Sequence, residues 1–138
     1  MTNSSPLPVI WSARAIQDLS RAIELRPEFG EAYFHRGVAF VRSADYKRAL
    51  ADFRQSLKRD LDPFFLPYVH YNLASVFHAQ ANYKQALRSL DKAIELNPQF
   101  REAYHIRSQI NRKLGNTELA RADLKRMARL SSGTDEKR

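Results

Sequence analysis

Apolar residues recur at intervals of three and four along most of the chain. Tyr33, Val38, Phe40 and Val41 set one such stripe, and Tyr46, Leu50, Phe53 and Leu57 set a second. This is the period of a helix that buries one face. No segment sustains the alternation of a strand, so the expected fold is all-α. Asp45, Asn82 and Asn116 stand where helices should begin. Their short side chains can accept a backbone N–H left open in the first turn. Gln85, three residues after Asn82, can complete a capping box. Pro27 and Pro98 close helices, because the residue before a proline is pushed out of helical geometry.

The stripes repeat. Residues 22–33, Ala-Ile-Glu-Leu-Arg-Pro-Glu-Phe-Gly-Glu-Ala-Tyr, return at 93–104 as Ala-Ile-Glu-Leu-Asn-Pro-Gln-Phe-Arg-Glu-Ala-Tyr. Asp45-Tyr-Lys-Arg-Ala-Leu returns from Asn82 as Asn-Tyr-Lys-Gln-Ala-Leu, and more loosely from Asn116. The step from 82 to 116 is 34 residues and that from 45 to 82 is 37, so the middle linker holds three extra residues. A fixed period of this length marks a stack of two-helix units.

The pattern resembles the tetratricopeptide repeat. The unit from Gly30 supplies Tyr33, Arg36, Gly37, Phe40, Ala49, Phe53 and Ser56 at the signature positions, with Leu61 where proline is usual. The unit from Pro67 supplies His70, Leu73, Ala74, Phe77, Ala86, Leu90, Ala93 and Pro98. The unit from Arg101 matches more weakly, and Ala15, Leu19, Ala22 and Pro27 match a second helix without its first. The resemblance implies a right-handed α-α superhelix, a solenoid of about three and a half helical hairpins. The expected organisation is a flexible segment over 1–11 and a repeat domain over 12–130. That domain divides into a partial repeat (12–29) and repeats 30–66, 67–100 and 101–130, before a disordered tail, 131–138. Small residues at Gly37, Ala74 and Ser108, facing Ala49, Ala86 and Ala120, would let paired helices approach closely.

Repeat arrays need polar caps, because each unit buries a face on its neighbour. The first helix, around Pro8 to Leu25, leaves Ile10, Trp11 and Ile16 short of cover, and Trp11 is read as packing. Two readings stay open for the ends: a piece of a longer array, or self-association through uncapped end helices.

Composition adds limits. Hydrophobic residues form 43% and charged residues 28% of the 138, the balance of a folded soluble domain. With no Cys there is neither a disulfide framework nor a thiolate metal site. No signal sequence or membrane-spanning run is visible, so a cytoplasmic location is expected, with a nuclear one next. The net charge is +8, and the excess gathers after Arg101, which favours acidic partners.

Candidate chemistry is sparse. The 4 glycines are scattered, no G-x-S-x-G elbow occurs, and the 4 histidines form no zinc pattern. His70 is read as a core residue, and Asp60 and Asp62 as solvated or capping groups. No catalysis, cofactor or metal is expected. The resemblance instead implies a concave groove lined by the first helices. Its partner-facing positions here are Phe34, Val38, Val41 and Arg42, then Tyr68, Tyr71, Asn72 and His78, then His105, Gln109, Arg112 and Lys113, an aromatic floor with a basic exit. The alternative for Phe34 and Tyr71 is packing between hairpins. A chaperone C-terminal tail is disfavoured, since only Asn72 matches the carboxylate clamp of that subclass. Phe64 and Phe65, between Pro63 and Pro67, are expected either to staple the next helix or to form an exposed knob. The expected function is a protein-interaction adaptor. RNA or another polyanion, bound by the basic last repeat, is the alternative.

Overall fold

The computed structural model describes residues 7–132, and the side chains of 12–131. Seven helices occupy that span: α1 (Leu7–Leu25), α2 (Gly30–Arg42), α3 (Tyr46–Lys58), α4 (Leu66–Ala79), α5 (Tyr83–Leu96), α6 (Arg101–Lys113) and α7 (Thr117–Ser132). A single 3-10 turn, Pro63–Phe65, precedes α4. There is no strand among the described residues. The helix boundaries follow the capping and proline signals. Asp45 and Asn82 accept the N–H groups of Arg48 and Gln85, and α1 and α5 stop two residues before Pro27 and Pro98. Two expected boundaries move. Residues 7–11 are helical rather than a flexible segment, and α7 runs to Ser132, past the expected start of the tail. The side chains of Ile10 and Trp11 and the rest of the tail lie outside the described residues.

The chain forms two compact units, Met1–Asn72 and Leu73–Arg138, divided within α4. In the N-terminal unit α2 packs between α1 and α3. Its core is built on Phe53 and Ala49, both fully buried, with Tyr33, Phe40 and Ala39 around them. A Cβ added at Gly37 would stand 2.6 Å from Cε1 of Phe53. The close approach expected of the small residue is therefore used by the Phe53 ring. In the C-terminal unit α6 packs against α5 and α7. Leu90, Ala86, Ala93, Ile110 and Ala103 are fully buried there, and Tyr104, Met127 and Leu130 gather beside Ile94.

Both units carry the same polar clasp. In the first, Arg36 donates Nε and Nη2 to the two carboxylate oxygens of Asp52 (2.7 and 2.8 Å) and Nη1 to Ser20 (3.0 Å). In the second, Arg107 donates Nε and Nη2 to Asp123 (both 2.8 Å) and Nη1 to Asp91 (2.9 Å). All three positions are related by 71 residues, the two-repeat period. The side chains of Asp52 and Asp123 are each only 6% exposed. Their hydrogen bonds raise both guanidinium pKa values above the ordinary arginine range, burial opposing them. The middle repeat has Leu73 and Ser89 at the Arg and Asp positions, so the clasp is absent from it.

Candidate functional site

The turn that ends each first helix fixes where its last side chains point. Asp45 N–H reaches Phe40 O (2.9 Å), Asn82 N–H reaches Phe77 O (2.8 Å) and Asn116 N–H reaches Asn111 O (2.7 Å). The residue before each adopts a left-handed conformation: Ala44 and Ala81 at φ 59° and Gly115 at φ 85°. Three identical closures place Arg42, His78 and the pair Arg112 and Lys113 in the last turn of α2, α4 and α6.

In the N-terminal unit Val38, Val41, Tyr68, Tyr71 and Asn72 are half-buried, and Arg42 is exposed. Phe34 does not belong with them as a contact residue. It is 7% exposed, its ring 6.1 Å from Phe53, 5.2 Å from His35 and 5.5 Å from Phe65. The cover comes from the three-residue insertion, which turns Phe65 inward; the spacing of α2 alone holds no sign of it. Tyr68 stacks on Phe64 at 5.5 Å, so a chain of rings runs from Phe34 through Phe65 and Phe64 to Tyr68. The two outcomes foreseen for the insertion are divided between its rings: Phe65 staples and Phe64 is 65% exposed. Asn72 spends its amide N–H on Tyr68 O within the same helix (2.8 Å). This leaves its second N–H and its carbonyl oxygen as the groups to offer a partner.

In the C-terminal unit His105, Gln109, Arg112 and Lys113 are exposed and His78 is half-buried. His78 and Lys113 converge on Tyr83, 6.0 Å from the imidazole and 5.8 Å from Nζ. Tyr83 is a candidate residue that the repeat pattern did not single out. Its signal is the position just after the Asn82 cap, beside the end of the preceding helix. Among the described residues Arg42, Arg112 and Lys113 enter no ion pair, and neither does Glu102, whereas Asp91, Glu95, Glu118 and Asp123 do. His70, expected in the core, is half-buried, and Asp62 caps the 3-10 turn through Phe64 N–H (2.9 Å). No group of three His, Asp or Glu among the described residues is arranged to hold a metal ion. No helix among them is long and apolar enough to cross a membrane.

The sequence profile of the tetratricopeptide repeat matches residues 12–64, 67–100 and 102–133. The chain belongs to the tetratricopeptide-repeat family. Members of this family are typically modules for protein interaction rather than catalysis. Transcription activator GutR of Bacillus subtilis is 31% identical over 109 residues, 74% of this chain. Photosystem I assembly protein Ycf3 of Cuscuta gronovii is 26% identical over 98 residues, 66% of this chain. The matched segments span 13% of GutR and 58% of Ycf3. Among solved structures MamA superposes with a TM-score of 0.83 at 18% identity, covering 95% of this chain and 75% of MamA. YrrB, described as a TPR protein with an unusual peptide-binding site, gives 0.75 at 24% identity, covering 93% of this chain and 64% of YrrB. Both likenesses concern the fold.

Proposed function

We propose that this chain is a non-catalytic adaptor that holds a partner peptide or helix on the exposed sides of its first helices. One observation carries the reading. Val38, Val41, Tyr68 and Tyr71 of the N-terminal unit remain half-buried while Phe34 and Phe53 of the same unit are closed off. Half-buried aromatic side chains on a rigid helical support give a partner large contact area at little entropic cost. The peptide-binding site of YrrB and the assembly role in the name of Ycf3 are in keeping with it.

The partner is expected to be acidic where it meets Arg42, or Arg112 and Lys113, since these cations have no internal counter-charge and can each take a carboxylate. The test is capture from a nuclease-treated lysate, identification of the captured protein, and calorimetric titration of its binding segment. Tyr71→Ala should weaken that segment about tenfold while the helical circular dichroism is unchanged. Unaltered affinity in Tyr71→Ala would reject the site.

A second reading, RNA or another polyanion, draws on the charge of the C-terminal unit, where 13 Lys and Arg face 7 Asp and Glu. Capture abolished by nuclease, with affinity falling steeply as salt rises, would select it.

A further inference from the structure

Residues 60–67, where the insertion falls, put one aromatic ring where a repeat array has no use for it. Phe65 already closes the joint by covering Phe34 and meeting His35 at 5.8 Å. Phe64 is held outward. Its N–H is bonded to Asp62 Oδ1, Pro63 precedes it, and its ring stands at 89° to Phe65 and 5.5 Å from Tyr68. The result is a three-ring platform whose outer member is 65% exposed. Beside it opens a cleft of about 530 Å³ that shares Asp62 and Pro63 with the same turn.

Charge decides what such a platform can take. The protein carries +8 overall, yet this edge is negative. Of the charged residues lining the cleft, Glu28 is matched by Arg59 at 2.9 Å and Arg26 lies over the Phe29 ring at 4.4 Å. Glu31, Asp60 and Asp62 enter no ion pair among the described residues. Glu31 accepts only a long bond from Asp62 N–H (3.4 Å). An acidic segment would meet three carboxylates that lack an ion-pair partner here, against one such cation, Arg26. A purely apolar one would cover Phe64 but strip water from those carboxylates without replacing it. A lysine or arginine satisfies both features, its aliphatic stem lying along the ring and its head reaching the carboxylates.

We propose that the Phe64–Phe65–Tyr68 platform and its carboxylate edge are a second docking surface, for a partner segment that presents a lysine or arginine. It adjoins the Val38–Tyr71 face at Tyr68, which belongs to both, and is opposite to it in charge preference.

The test uses the full ¹⁵N-labelled chain and two proline-spaced octapeptides, identical except that one carries arginines and the other glutamates. The arginine peptide should shift the amides of residues 60–65 saturably, and the glutamate peptide should leave them in place. Phe64→Ser removes only an exposed ring, so its spectrum should otherwise match the parent, and it should weaken the arginine peptide about fivefold. Asp60→Asn combined with Glu31→Gln should weaken it too and flatten its salt dependence. Tyr71→Ala should leave this binding intact, which separates the surface from the one proposed above. The proposal is overturned by equal shifts from both peptides, by shifts confined to residues beyond 72, by none at 60–65, or by unchanged affinity in Phe64→Ser.

Discussion

At Gly37 the space for a side chain is already filled by the fully buried Phe53 ring, 2.6 Å from where a Cβ would stand. The ring has no exposed side into which it can retreat. Gly37→Ala should therefore cost about 1–3 kcal/mol by overpacking, read as a lower urea midpoint at unchanged slope. The arginine clasps are a different kind of residue-scale device. Each places a carboxylate that is 6% exposed against a guanidinium that is 22 or 23% exposed. Arg107→Leu alone would strand Asp123 and should cost about 3–5 kcal/mol. The double variant Arg107→Leu with Asp123→Ser reproduces the middle repeat's Leu73 and Ser89, and should recover most of that loss in a double-mutant cycle. The sign with pH follows from the raised guanidinium values. For the arginines' own titration, this contribution is fully present below the ordinary arginine range and is lost as strong alkali deprotonates the folded state. Stability curves near neutrality should thus be flat with respect to these arginines. The sequence showed Arg36 at a signature position that holds Leu73 in the middle repeat. It did not show the partners of either arginine, because a 16-residue spacing links them across two helices.

The closing turn of the first helix is repeated three times with one geometry, although only one copy has the residue that suits it. Gly115 takes φ 85° freely, whereas Ala44 and Ala81 hold φ 59° against the contact of Cβ with the backbone. Ala81→Gly exchanges that strain for a more flexible unfolded chain. The two effects nearly cancel, and the net change should be neutral to about 1 kcal/mol stabilising, measured by thermal unfolding. A clear destabilisation would mean that Ala81 is not strained. Most of the elements were legible: caps at Asp45 and Asn82 and prolines at 27 and 98 place helix ends to within two residues. The first helix, read from around Pro8, begins at Leu7, a proline being tolerated in a helix's first turn, so the flexible segment expected over 1–11 was drawn too long. The burial of Phe34 was not legible, since it depends on Phe65 coming back from an insertion 31 residues later.

On the scale of the whole molecule, the two compact units correspond to the two copies of the 71-residue period. Each has its own core and its own clasp, but their charges differ. The N-terminal unit has 10 Lys and Arg against 8 Asp and Glu, and the C-terminal unit 13 against 7. The repeat architecture could be read from spacing, because packing imposes that spacing, and the candidate positions on the first helices followed from the family resemblance. Partner identity could not, since exposed positions are free of the packing constraint and differ from repeat to repeat. The proposed function rests on the half-buried side chains Val38, Val41, Tyr68 and Tyr71 of the N-terminal unit forming a binding face. The most direct measurement is calorimetric titration of the captured partner's segment into the parent chain and into Tyr71→Ala, at low and high salt. The variant should bind about tenfold more weakly at both salt concentrations, with its fold intact. Equal affinities for parent and variant, with binding lost from both at high salt, would contradict the proposed function.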